Sequence, residues 1–133
     1  MALQVELVSP ERILYSGEAE MVVCRTAGGE IAFMTGHAPF LGSLGTGIVR
    51  VNQVGGATVR AAVHGGFVQV KDNRVIILSD VAELPDQVDA GRARRAAEEA
   101  EAALRTAGPG SEEAAEAEAR LRRARTRLEL AGS

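Results

Sequence analysis

Leu3, Val5 and Leu7 alternate with Gln4 and Glu6, and that period of two marks a half-buried strand. Ser9-Pro10 breaks the run. A short segment from Arg12 to Tyr15 follows, ended by a Ser16-Gly17 turn. Ala19, Met21 and Val23 alternate again up to Gly28-Gly29, and Ile31 to Met34 is a short apolar run. Ile48 to Val51 and Ala57 to Val63 flank Gly55-Gly56, a pair suited to a hairpin turn. Phe67, Val68 and Val70 follow Gly65-Gly66, Asp72-Asn73 marks another turn, and Val75 to Leu78 closes the series. Turn signals every ~8–12 residues predict an antiparallel β-sandwich of about ten short strands over residues 1–85. The spacing leaves no room for crossover helices, so parallel pairing is not expected.

The pattern changes at Pro85-Asp86. Residues 1–85 hold 11 of the 15 glycines and all four aromatics, whereas residues 86–133 hold 14 alanines and no aromatic ring. That shift from strand-forming to helix-forming composition predicts an antiparallel two-helix hairpin over 86–133. Pro85 stops the preceding strand, and Asp86 and Asp89 suit a helix N-terminus. The first helix is expected from about Asp86 to Ala107, ended by Gly108-Pro109-Gly110. Ser111 caps the second, which carries Glu112 and Glu113 in its first turn and runs to about Leu130. Ala93, Ala96, Ala100, Ala103 and Ala107 form one stripe; Ala114, Ala117, Leu121, Ala124, Leu128 and Ala131 form the other. Each Ala buries about three carbons fewer than Leu and forfeits ~2 kcal/mol per position. The hairpin therefore packs closely but weakly, as suits an element that detaches or refolds along a partner.

Composition narrows the function. With a net charge of −3 and only four aromatics, the chain lacks both a phosphate-binding basic surface and a stacking platform for single strands, so nucleic acid is not an expected partner. The lone Cys24 excludes an internal disulfide framework and a Cys-based zinc site; its apolar setting predicts a small buried thiol. The first residues carry no basic, apolar signal pattern, and no stretch approaches the ~20 apolar residues of a membrane helix. A soluble, cytoplasmic chain is expected, reaching a membrane only through a partner. His37 and His64 do not cluster as metal ligands, and no nucleophile elbow, Walker loop or dinucleotide fingerprint occurs. A β-sandwich enzyme finds no support here.

Charge on the hairpin is mostly paired along its helices, as at Glu101 and Arg105, Glu116 and Arg120, or Glu118 and Arg122. Arg123 and Arg127 differ. Neither has a carboxylate three or four residues away, and they repel each other at that spacing. Such a pair calls for an external anion, a phosphate or an acidic loop of a partner. On the first helix, Asp89 and Arg92 form a weak local pair, with Glu83 just ahead.

These segments together resemble the epsilon subunit family of the F-type ATP synthase. Gly29-Glu30-Ile31-Ala32-Phe33-Met34-Thr35-Gly36-His37-Ala38-Pro39 is similar to the family's Gly-Glu-hydrophobic-Gly-Ile-Leu-Pro-Gly-His-Ala-Pro segment, with Ala32 where Gly is favoured and Met34-Thr35 where Leu-Pro is. Val8-Ser9-Pro10 with Tyr15-Ser16-Gly17 resembles its opening, Gly65-Gly66-Phe67-Val68-Gln69-Val70 its Gly-Gly-Phe strand, and Val75 to Asp80 its last strand. The resemblance spans the whole chain.

It implies a non-catalytic rotor subunit of the central stalk in a proton-translocating synthase, on the cytoplasmic face of the cell membrane. The sandwich would bind the gamma subunit and rest on the c-ring, with Glu30 and His37 at the contact. The hairpin would regulate, extending toward the alpha and beta subunits to block ATP hydrolysis. No cofactor is implied as required, but ATP is implied as a regulatory ligand. Val88-Asp89-Ala90-Gly91-Arg92-Ala93 is similar to the Ile/Leu-Asp-x-x-Arg-Ala motif of ATP-binding members, and Arg123 to Leu128 to their Arg-x-x-x-Arg-Leu stretch. Glu83, Asp89, Arg92, Arg123 and Arg127 are thus the implied ATP contacts. The alternative is a stand-alone ATP-binding sensor with no rotary partner, which would not need the Glu30 to Pro39 loop.

Overall fold

Strands β1 (Leu3–Val8), β2 (Ile13–Thr26), β3 (Gly29–Met34), β4 (Phe40–Gln53), β5 (Thr58–Lys71), β6 (Arg74–Leu78) and β7 (Ala82–Glu83) precede helices α1 (Ala90–Thr106) and α2 (Glu112–Ala131) in the computed structural model. The structure describes residues 2–132. The chain divides between Leu84 and Pro85 into two units.

In the first unit the sheet runs β1-β6-β5-β4-β2-β3, and β1 also pairs with β2, so the strands close into a barrel-like sandwich; β7 adds to β5. Period-two alternation places Leu3, Val5, Leu7, Val22, Phe33, Val51, Val63, Val68, Val70, Val75 and Ile77 in one fully buried core. Gly55 and Gly56, both at positive φ, turn β4 into β5 as expected, and Asp72 and Asn73 (φ 51° and 60°) form the tight turn into β6.

Two expectations are corrected. Seven strands are described, not about ten, because Ser16-Gly17, expected as a turn, and Gly65-Gly66 lie inside strands. Ser16 and Gly17 stay in register with Glu6 and Val5 within β2, and β5 runs through Gly65-Gly66. At Gly66 (φ +128°) an added Cβ would lie 2.1 Å from the Leu78 carbonyl oxygen, so the glycine admits a neighbouring backbone rather than reversing the chain. The second correction is that β1 and β6 pair in parallel, from Gln4↔Arg74 to Val8↔Leu78. No crossover helix is needed because strands β2 to β5 themselves make the connection.

In the second unit, Pro85–Gln87 is a 3₁₀ turn, so α1 starts later than Asp86: Asp89 caps it, accepting from Arg92 N at 3.0 Å. Ser111 caps α2, accepting from Ala114 N at 3.2 Å. The helices meet through Ala97, Ala100, Leu121 and Ala124, flanked by Ala96, Leu104 and Leu128. On α1 the buried stripe follows Ala93, Ala97 and Ala100, and Ala103 and Ala107 are only partly buried. On α2 Leu130 is buried and Ala131 exposed. The α1 stripe thus passes through Ala97, beside the seam expected through Ala96.

Candidate functional site

Strands β5 and β6 carry apolar side chains on both faces, those on the outer one interrupted by Gln69, Lys71 and Arg74. Val68, Val70, Val75 and Ile77 point into the core, while Phe67, Ile76 and Leu78 point out. The ladder aligns Ser43, Phe67, Leu78 and Val8 in one outward row, with Ile13 opposite Val8, and Leu41, Gln69, Ile76 and Glu6 in the next. Ile13, Leu41, Phe67, Ile76 and Leu78 are 38% to 73% exposed. Scattered exposed hydrophobes need no explanation, but a contiguous set across neighbouring strands marks an interaction surface. Reading periodicity alone missed this face. Its signal was the unbroken Val75-Ile76-Ile77-Leu78 run, where a solvated strand would alternate.

Glu30 lies exposed at the start of β3, and its Oε1 accepts from Arg50 Nη2 at 3.1 Å across β2. His37 sits beyond the other end of β3. Its ring packs edge-on against Phe33 (centroids 4.8 Å apart) and Phe40 (6.4 Å), and its Nδ1 donates to Ala38 O at 2.7 Å. Gly36 N donates to Asn73 Oδ1 at 2.7 Å, tying this loop to the β5–β6 turn. Glu30 and His37 therefore occupy opposite ends of one strand and do not converge.

Glu83, on β7, meets His64 of β5: Glu83 Oε1 lies 3.0 Å from His64 Nε2, and the imidazole is almost wholly buried. Around the pair, His64 N donates to Val81 O at 3.0 Å. Ser79 Oγ lies 2.6 Å from Gly65 O and 3.0 Å from Val81 O, its one proton shared between the two carbonyls. Glu83 thus belongs to the sandwich unit and is engaged there, whereas Asp89, Arg92, Arg123 and Arg127 belong to the helical unit.

Asp89 and Arg92 are joined by the cap, through the Arg92 backbone N–H rather than its guanidinium, and the Arg92 side chain is exposed. Arg123 and Arg127 follow one another a turn apart on α2, both partly buried. Arg127 has an interaction partner in the structure. Glu101 pairs across the hairpin with Arg125 at 3.7 Å; both are exposed, and such a bridge contributes only a few tenths of a kcal/mol.

Cys24 is buried as expected, and desolvation, with the Glu30 charge adding to it, pushes its thiol up to about 11. Among the described residues no group of three His, Cys, Asp or Glu side chains is arranged to hold a metal ion. Nor is any helix among them long and apolar enough to cross a membrane.

Comparison with known proteins agrees with this architecture unit by unit. The family model for the ATP synthase delta/epsilon chain β-sandwich domain matches residues 2–85, and that for the long α-helix domain of the same chain matches residues 86–132. The ATP synthase epsilon chain of Streptomyces avermitilis is 50% identical over 100 residues, covering 75% of this chain and 81% of the relative. That of Halalkalibacterium halodurans is 41% identical over 131 residues, covering 98% and 97%. A chain in the cryo-EM structure of the Euglena gracilis mitochondrial ATP synthase (OSCP/F1/c-ring, rotational state 1) superposes with a TM-score of 0.85 at 25% identity, covering 99% of this chain and 82% of that one. A chain of the Tetrahymena thermophila mitochondrial ATP synthase central stalk and c-ring shares the fold at a TM-score of 0.61 and 15% identity, covering 98% and 97%.

Proposed function

Because the chain belongs to the ATP synthase delta/epsilon chain family, we propose that it is a central-stalk rotor subunit of a proton-translocating F-type ATP synthase, coupling proton flow to ATP synthesis. It is a non-catalytic subunit and a peripheral part of a membrane-bound complex. The match of both domain families, in order, over residues 2–132 carries this reading. The exposed apolar face of β5 and β6 supplies the surface such a subunit needs for the gamma subunit. The exposed Glu30 end of the sandwich suits the polar loops of the c-ring, and the location proposed with it is the cytoplasmic face of the cell membrane.

The helical unit is the regulatory element. Its alanine seam holds the two helices together over little apolar area, so rearranging them costs little. Extended, the arginines of α2 would meet acidic surfaces of the alpha and beta subunits and oppose ATP hydrolysis. ATP is the proposed ligand of the retracted state, with Arg92, Arg123 and Arg127 as phosphate contacts. Asp89 and Glu83 are the other implied contacts, but their carboxylates already serve the α1 cap and His64. Nucleotide bound to one state only would stabilise it by mass action.

A native pull-down tests the rotor reading. The chain, tagged at its C-terminus and recovered from mildly solubilised membranes, is expected to bring down gamma, alpha, beta and c subunits. Recovery alone, beside an intact synthase lacking it, would establish the free-sensor alternative instead. Calorimetric titration of the free chain tests the ligand: ATP binds, and Arg123→Ala with Arg127→Ala removes the binding. No heat in either protein ends the ATP proposal and leaves the rotor reading standing.

A further inference from the structure

Lys71 and Arg74 stand directly opposite each other where β5 turns into β6, on the same outward side as Gln69 and Ile76. Two like charges facing each other across an antiparallel ladder are unfavourable, and the tight Asp72-Asn73 turn keeps them close. Arg74 has only a loose answer, Glu6 at 3.8 Å, with both side chains substantially exposed. Lys71 makes no ion pair among the described residues. The surroundings are shallow and open. A pocket of about 200 Å³ is lined by Gln69, Lys71, Asp72, Arg74 and Ile76. A second, of about 280 Å³, is lined by Pro39, Phe40, Leu41, Gln69, Val70 and Lys71. Gln69 and Lys71 border both, so they form a polar ridge with Ile76 on one side and Leu41 on the other.

We propose that this ridge is a carboxylate clasp: Lys71 and Arg74, assisted by the Gln69 carboxamide, hold one Asp or Glu side chain of the gamma-subunit segment that covers the apolar face. The clasp rests on the reading of that face as the rotor contact. An ammonium and a guanidinium on two sides of one acceptor make charge-assisted hydrogen bonds to it. Asp72 and Glu6 decide what kind of anion fits. With them, these four charges sum to zero, so the rim does not draw in a polyanion such as a phosphate backbone or an anionic lipid surface from a distance. It selects at contact, which suits a single carboxylate set among apolar side chains. Its role is register: the apolar face alone would let a partner slide along the strands, and one fixed ion pair at its edge forbids that.

Lys71 is the chain's single lysine, which makes the test specific. In the intact complex, a carbodiimide joins lysine to carboxylate only at contact distance. The expected product is one cross-link from Lys71 to an Asp or Glu of gamma. Coupling only within the chain, or none at all, overturns the clasp. In a parallel series, Phe67→Ser with Leu78→Ser tests the face, and Lys71→Glu with Arg74→Glu tests the rim. Each is titrated against the complex lacking this subunit at low and high salt. The rim pair is expected to weaken assembly about 10-fold and flatten its salt dependence; Lys71→Arg restores both. If only the face pair weakens assembly, the clasp fails and the rotor contact stands. If neither pair does, the reading of the face fails with it. Thermal melts of each variant separate lost contact from lost folding, since all four side chains are exposed.

Discussion

Glycine has opposite meanings at two places in this chain, and substitution separates them. At Gly66 both the left-handed φ and the Leu78 carbonyl reject a Cβ, so Gly66→Ala is expected to cost more than ~3 kcal/mol in urea unfolding. At Gly91 a Cβ would meet Asp89 Oδ1 at 3.5 Å, an ordinary contact in the first turn of α1. Gly91→Ala should therefore stabilise the helical unit by ~0.5–1 kcal/mol, read as a higher midpoint in its helical melt. Cys24 makes a prediction in pH. Its folded thiol is pushed from 9.0 up to about 11, so the protonated form is the one the core accepts. That contribution is complete below about 9 and is lost as pH rises toward about 11, at roughly 1.4 kcal/mol per pH unit. Unfolding curves across that window should steepen for the wild type relative to Cys24→Ala. The period-two pattern placed Cys24 inside, but the Glu30 charge beside it comes from strand pairing, which no local window contains.

At the scale of elements, β7 is two residues long and pairs only with Ala62 and Val63 of β5. The His64–Glu83 pair and the Val81 carbonyl accepting from His64 N also hold it to β5. Glu83→Ala is expected to raise amide exchange at His64 about 10- to 100-fold while leaving the β4–β5 ladder protected, because the lost contacts are local. In the helical unit, Leu121 is the largest side chain among the four buried residues at the centre of the hairpin. Leu121→Ala should cost the hairpin about 2–3 kcal/mol and melt it separately from the sandwich. The two caps were legible from Asp89 and Ser111 because a cap is decided by a residue and its next three neighbours. The rotation of the α1 stripe toward Ala97 was not, since an alanine-rich helix offers nearly equal faces.

For the whole molecule, the consequential feature is the apolar face that folding leaves uncovered. The free chain should bind a hydrophobic dye, and Phe67→Ser with Leu78→Ser should remove most of that signal without lowering the sandwich's melting point. The same substitutions should weaken assembly into the synthase, which ties the surface to the function rather than to folding.

The division of labour between sequence and tertiary structure follows from range. Period-two alternation, the Gly55-Gly56 and Asp72-Asn73 turns, the Pro85 joint and the helix caps are determined within a few residues, by sterics and local hydrogen bonding, and the sequence by itself contained them. So did the family likeness, because ordered motifs along a chain are a property of the chain. The continuity of β2 and β5 through their glycines, the parallel β1–β6 pairing, the outward row of Phe67 and Leu78 and the His64–Glu83 pair were decided only in three dimensions. Each depends on which strand lies beside which. That choice is made by burying the whole core at once, and no segment carries it alone.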